Sequence, residues 1–141
     1  MTINEIQEEI ILEFSVFDDW MDKYEYLIDL GKELSPFDEK NRTDQNLIDG
    51  CQSKVWLNAE LVDGKIVFTA DSDAIITKGI ISLLIRVLSG QTPEDIINSD
   101  LYFIDKIGLN QHLSPTRSNG LMSMIKQIKL YAMAYNSLNK N

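Results

Sequence analysis

The sequence predicts an α+β domain: helices, then a small antiparallel sheet, then helices again. Three observations carry this. Apolar residues recur at helical spacing toward both ends of the chain. A central run of β-branched and aromatic residues alternates at period two and reverses at an Asp-Gly pair. The 141 residues contain no linker, repeat or low-complexity tract, which fits one domain over 1–141 with a frayed tail at 136–141. Helices and strands are segregated along the chain rather than alternating, which separates α+β from a parallel α/β sheet.

The first helix is read from Ile3, Ile6, Ile10, Phe14 and Phe17, which step by three and four along one stripe. Asp18 or Asp19 caps a second helix, with Trp20, Tyr24, Leu27 and Gly31 on its face, stopped by Ser35-Pro36. The two are expected as an antiparallel pair. Asp38 to Gln45 is a polar connector. Its Asn41-Arg42-Thr43 is a formal glycosylation triplet, without meaning in the cytosolic chain expected here.

In the β part, Val55, Leu57, Ala59 and Leu61 alternate within 54–61. Val62-Asp63-Gly64-Lys65 is a hairpin turn and Ile66 to Ala70 the return strand. A hairpin alone is marginal, so Asn46-Leu47-Ile48 is a candidate short third strand, or covering helices are needed. Asp71, Ser72 and Asp73 are candidate caps for a helix from about Ala74 to Ser89. Its stripe is Ile76, Ile80, Leu83, Leu84 and Val87, and Gly90 suits the position just past its end. Thr92-Pro93-Glu94-Asp95 starts a short helix, Leu101 to Ile107 another, ended by Gly108. Ser114-Pro115 starts the last, with Leu121, Ile125, Ile128, Ala132 and Tyr135 on one face.

Composition narrows the function. The chain is 44% hydrophobic and 25% charged, ordinary globular values that argue against global disorder. A net charge of −9, from 13 basic and 22 acidic residues, argues against nucleic acid and against an anionic membrane surface. The apolar stretch Ile75 to Leu88 is interrupted by Thr77, Lys78, Ser82 and Arg86, so no span is expected. Met1 to Glu9 is acidic and amphipathic, unlike a signal peptide. The expected setting is cytoplasmic and reducing. One cysteine allows no internal disulfide, and with one histidine leaves too few ligands for a structural zinc site.

Cys51 stands in Asp49-Gly50-Cys51-Gln52-Ser53. Gly50 permits a bend, and Gln52 and Ser53 keep the segment polar, as in a functional loop. Two readings stay open: a reactive thiol, whose strength depends on exposure and local charge, or a small buried hydrophobe. His112 is a candidate base for a Cys51–His112 pair in a peroxidase or hydrolase, or a surface or capping residue. Arg117 in the first turn of the last helix opposes the helix dipole, which suggests a specific partner: Asp71, Asp73 or an anionic group on another molecule. Asp71 and Asp73 are read as caps, since no calcium-loop pattern surrounds them. Trp20 and Trp56 are expected in or near the core, and Met21, Met122 and Met124 as packing residues. There is no phosphate-cradling glycine loop, nucleophile elbow or dinucleotide fingerprint.

Three stretches go further. They are Asn46-x-x-x-Gly50-Cys51-Gln52-Ser53-x-Val55-Trp56, then Asp71-Ser72-Asp73-Ala74-x-Ile76-x-Lys78-Gly79, then Gln111-His112-Leu113-Ser114-Pro115-x-Arg117-x-x-Gly120-Leu121. With Trp20-x-x-Lys23-Tyr24, their order and spacing resemble the SufE family and its CsdE-type relatives, sulfur acceptors in iron–sulfur cluster assembly. The resemblance runs over nearly the whole chain. It implies an IscU-like fold, a three-stranded antiparallel sheet with helices packed against it. It implies that Cys51 accepts persulfide sulfur from a SufS- or CsdA-like cysteine desulfurase and passes it to a SufBCD-like scaffold. The protein would stimulate the desulfurase without turnover of its own. It implies no cofactor on this chain, the pyridoxal phosphate being the desulfurase's. Gly50, Gln52, Ser53, Asp73, His112 and Arg117 are then expected to support the Cys51 loop or face the partner. The competing readings are the Cys51–His112 thiol enzyme, a metal or cluster holder, and a purely allosteric desulfurase activator.

Overall fold

The computed structural model describes residues 1–139. Helix α1 spans Ile3–Phe14 and opens on a reciprocal cap: the Thr2 hydroxyl accepts the Glu5 N–H while the Glu5 carboxylate accepts the Thr2 N–H. Ile3, Ile10 and Phe14 are buried as expected, but Gln7 joins them in the core and Ile6 is only half-buried. Gln7 is tolerated there because both ends of its amide are satisfied. Its Nε2 donates to the Asp100 carbonyl at 3.0 Å, and its Oε1 accepts the Phe103 N–H at 3.1 Å. Phe17 lies past the end of α1 and meets the Tyr26 ring.

Helix α2 spans Trp20–Lys32 with Asp19, not Asp18, as its cap. It crosses α3, Ile75–Leu88, at two glycines. A Cβ on Gly79 would stand 2.4 Å from the Leu27 carbonyl oxygen, and one on Gly31 would stand 2.8 Å from the Gly79 nitrogen. The missing side chains let the two backbones touch. Nine of the fourteen residues of α3 are buried, so it is the central helix. Arg86 leaves that core to bridge back to Glu9 and Glu13 of α1.

Between α2 and the sheet lie two 3-10 turns, Glu39–Asn41 and Asp44–Asn46. The sheet has two strands, β1 at Val55–Val62 and β2 at Lys65–Ser72, in antiparallel register from Val55↔Ser72 to Val62↔Lys65. Asp63 and Gly64 close it, both at positive φ (52° and 79°), the conformation of a type I′ turn. The inner face, with Val55, Leu57, Ile66, Phe68 and Ala70, is buried.

The expected third strand does not form. Leu47 makes one isolated bridge to Trp56, and the Ile48 N–H donates to the Val55 carbonyl at 2.9 Å. The reason is length. A 3-10 turn ends at Asn46 and the chain turns again at Gly50 with φ +90°, so too little extended chain remains to propagate a ladder. A bridge from Ile66 to Gln91 covers the opposite edge.

The expected caps of α3 are also corrected. Its cap residue is Ala74, with no side-chain cap bond. The carboxylates are engaged elsewhere: Asp71 with Arg42 and Lys78, and Asp73 with the Lys54 N–H. Strand β2 runs two residues further than expected and uses the positions that a capping loop would need.

The remaining helices are α4 (Pro93–Ile97, capped by Thr92), α5 (Phe103–Lys106), α6 (Leu109–His112) and α7 (Pro115–Asn139). Helix α6 has no counterpart in the sequence reading. On α7, Leu121, Met124, Ile128 and Ala132 are buried. Met124 packs as expected, whereas Met21 and Met122 are exposed. The helix is continuous through Asn139, so the expected frayed tail is helical over 136–139, and 140 and 141 lie outside the described residues. No helix is long and apolar enough to cross a membrane among the described residues.

Candidate functional site

The loop carrying Cys51 is fixed at both ends and loosely held at its tip. At one end Ile48 bonds to Val55. At the other, Lys54 is stapled to the end of β2: its N–H reaches Asp73 Oδ1 at 3.0 Å, and its carbonyl accepts from the Ser72 hydroxyl and the Asp73 N–H. Of the two roles expected for Asp73, loop support or partner contact, the structure shows a bond that anchors the Cys51 loop. Between these anchors, residues 49–53 make one hydrogen bond among the described residues, from Cys51 Sγ to the Gly120 carbonyl at 3.6 Å.

Gly50 sits where only glycine is comfortable. Its φ is +90°, and a Cβ there would stand 2.3 Å from the Ser123 hydroxyl and 3.3 Å from Ser123 Cβ. The loop thus lies on the Gly120–Ser123 stretch of α7. Gly120 is buried, and no side chain separates its backbone from the thiol. A glycine inside a helix costs about 1 kcal/mol against alanine. That interruption of the helical pattern was the signal in the sequence for a close approach at this point.

Cys51 is half-buried. Beside it is a cavity of about 100 Å3, walled by Thr77 and Ile80 of α3 and by Thr116, Arg117, Gly120 and Met124 of α7, with Gln52 and Ser53 at its edge. Burial pushes the Cys51 thiol above its ordinary value of 9.0. In this seat the sulfur is a protonated thiol donating weakly to a carbonyl, not a thiolate. A larger cleft of about 820 Å3, which shares no lining residue with this cavity, lies between Met1–Glu5, Lys65 and residues 91–102. It contains no thiol, and no three metal-ligating side chains converge among the described residues.

Of the residues expected at the site, Gly50, Gln52, Ser53 and Arg117 gather around Cys51. His112 does not. Its ring stacks on Trp20, with centroids 4.2 Å apart and planes 16° apart, and its Nδ1 lies 2.8 Å from the Gly108 carbonyl. A carbonyl only accepts, so Nδ1 carries the proton in this pairing. His112 makes no hydrogen bond to Cys51 and takes no part in the cavity wall. The Cys51–His112 pair of the competing thiol-enzyme reading is therefore not assembled, and His112 lies exposed near the start of α7, in keeping with its alternative reading as a surface residue.

Arg117 pairs with neither Asp71 nor Asp73. Asp71 is held by Arg42 at 2.9 Å and Lys78 at 3.3 Å. Arg117 Nη1 instead donates to the Tyr24 hydroxyl at 3.2 Å, and the Tyr24 ring packs on Trp20 at 5.3 Å. The sequence placed Tyr24 on the packing face of α2 and in the Trp20-x-x-Lys23-Tyr24 stretch, without a tie to Arg117. The contact joins α2 to α7, a pairing of distant segments that no local pattern reveals.

Two comparisons with known proteins bear on this arrangement. A family model described as "SufE: Fe-S metabolism associated domain" matches residues 8–132. A solution structure of a hypothetical protein from Thermus thermophilus is similar in fold, with a TM-score of 0.77 over 94% of this chain and 96% of that one. At 17% identity, that second likeness concerns the fold alone.

Proposed function

The chain belongs to the SufE family of Fe-S metabolism associated domains, and on that premise we propose that it is a sulfur carrier whose acceptor atom is Cys51 Sγ. Sulfur arrives as a persulfide on a cysteine desulfurase and leaves for an iron–sulfur assembly scaffold. Pyridoxal phosphate, in this reading, belongs to the desulfurase.

The observation that carries the reading is the placement of the chain's single cysteine on a weakly tethered loop tip beside a small, partly open cavity. A carrier has two needs that conflict. Its thiol must reach a sulfur held by another protein, and the persulfide it acquires must then be kept from solvent reductants and oxidants. A loop anchored firmly at Ile48 and Lys54, but held at its tip by one weak bond, can swing out at small cost. The cavity of about 100 Å3 exceeds the roughly 30 Å3 that a water occupies in the liquid, so it admits one further sulfur atom on return.

The chemistry is thiol exchange. As the loop leaves its seat, the thiol loses its burial and its proton passes to solvent. Cys51 thiolate attacks the outer sulfur of the partner's persulfide in line. The Sγ–S bond forms as the partner's S–S bond breaks, and the partner's cysteine departs as thiolate. No electrons are gained or lost overall. A second thiol nearby would discharge the carrier, its thiolate attacking Cys51 Sγ to form a disulfide as the outer sulfur leaves as hydrosulfide, and the sequence contains none.

The test is to incubate the protein with a SufS- or CsdA-like desulfurase and cysteine, then to measure intact and peptide masses without reductant. Added sulfur on the Cys51 peptide, removed by dithiothreitol and absent in Cys51→Ser, is the expected result. Full stimulation of the desulfurase by Cys51→Ser, with no mass gain on the wild type, would replace the carrier by a purely allosteric activator. Turnover of peroxide or ester without any desulfurase would favour a thiol enzyme, against which the placement of His112 already argues.

A further inference from the structure

We propose that Tyr24 is a positioning residue, whose hydroxyl holds the Arg117 guanidinium at the rim of the Cys51 cavity so that it faces the anionic outer sulfur of a loaded persulfide. The inference rests on the carrier reading and adds a residue to it.

Four observations converge. Arg117 lines the cavity beside Cys51. Among the described residues it forms no ion pair, and its side chain makes one hydrogen bond, to the Tyr24 hydroxyl. Tyr24 is itself held, half-buried with its ring against Trp20, and Trp20 is held in turn by the stacked His112. Finally, the cation stands in the first turn of α7, where the dipole disfavours it, with no local acid to compensate.

A guanidinium carries five donors and a fixed charge. One donor on Tyr24 leaves four, and the fork geometry fixes where they point once one arm is anchored. The resting thiol has little use for that charge, since burial alone sets the direction of its shift. A persulfide differs: it is the stronger acid and is ionised near neutrality, and its outer sulfur projects one bond further from Sγ into the cavity that Arg117 rims. An opposite charge at short range favours that anion and protects it from protonation.

Loading with inorganic polysulfide separates this idea from the desulfurase. Cys51 thiolate attacks a polysulfide sulfur, an S–S bond breaks, and a shortened polysulfide anion leaves. The loaded protein is then alkylated with iodoacetamide across pH, and the alkylated persulfide is read by mass. Arg117→Gln and Tyr24→Phe, which keeps the ring on Trp20, are both expected to move the profile upward by roughly 0.5 to 1 pH unit, the low end for an exposed opposite charge. Tyr24→Phe is expected to add nothing in the Arg117→Gln background. A wild-type profile for Tyr24→Phe overturns the proposal, as does an undiminished Tyr24→Phe shift once Arg117 is gone. Should Tyr24→Phe fail to fold, Arg117→Lys gives the same reading: it keeps the charge but loses the anchored fork, and an unchanged profile refutes positioning. A failed transfer from the desulfurase leaves these profiles intact, so it would count against the carrier reading alone.

Discussion

Gly50 packs its backbone against Ser123 so closely that a Cβ on the glycine would stand 2.3 Å from the serine hydroxyl. The hydroxyl can rotate away, but Ser123 Cβ at 3.3 Å and the φ of +90° remain. Gly50→Ala is therefore expected to lift the loop from α7. Iodoacetamide should then alkylate Cys51 several times faster, with a stability loss of about 1–2 kcal/mol for the left-handed backbone. An unchanged alkylation rate would show that the seat does not depend on this contact.

Burial of the Cys51 thiol makes its reactivity dependent on pH and on the loop. The folded state holds the acid above its ordinary value of 9.0, so the neutral form is the one that folding favours. The resulting stabilisation is complete below that ordinary value and is lost as pH rises through the higher folded value. Alkylation of the resting protein should accordingly inflect above 9.0, and denaturation in urea should move the inflection down. Coincident inflections in the folded and denatured protein would contradict a seated thiol.

Glu13, Arg86 and Tyr26 form the other pH-sensitive point, clamping α1 and α2 to α3. Hydrogen bonding to Arg86 holds the Glu13 carboxyl below its ordinary 4.5. Its contribution is present above 4.5 and fades as pH falls through the lower folded value. Tyr26, desolvated and bonded to Glu13, is pushed up to about 12, so its contribution is full below 10 and fades as pH rises through about 12. Arg86→Met is expected to cost about 1 kcal/mol at pH 7, most of the Coulomb gain being screened by solvent. It should also flatten the acid limb of the Tm against pH. An acid limb unchanged by the substitution would place the acid sensitivity elsewhere.

Two glycine-to-alanine changes should have opposite outcomes. Gly79→Ala drives a methyl into the Leu27 carbonyl at 2.4 Å, and backbone cannot yield cheaply. A loss of about 2–3 kcal/mol is expected from overpacking. Gly120→Ala meets Cys51 Sγ at 3.6 Å, ordinary contact, and gains up to about 1 kcal/mol of helix propensity. It should be neutral or stabilising, while its methyl takes space beside the thiol and shortens the lifetime of a persulfide seated there. Thermal denaturation of both, with persulfide lifetime for the second, checks the pair.

What could be read along the chain follows physical range. Asp19, Thr92 with Pro93, and the Asp63-Gly64 turn act within four residues, and each element they punctuate is where local chemistry puts it. The stretches that carry the family resemblance contain Cys51, Gln52, Ser53 and Arg117, all of which line the cavity. Two expectations failed for different reasons. Leu47-Ile48 has strand composition but too little extended chain between the turn at Asn46 and the bend at Gly50. Asp71 and Asp73 have capping chemistry, but distant partners, Arg42 and the Lys54 N–H among them, compete for their carboxylates.

The class of fold and the run of helices, hairpin and helices along the chain were legible in the sequence, because periodicity and turn chemistry need no knowledge of distant contacts. How many strands pair, where the thiol rests and which cation stands near it were not. The thiol's seat and its cation depend on Ser123 meeting Gly50, Gly120 meeting Cys51 and Tyr24 meeting Arg117, contacts across 69 to 93 residues in the latter two cases, set by how α7 lies against the loop and reaches α2 through that hydrogen bond. Such contacts are settled by the packing of whole elements, which no window along the chain contains.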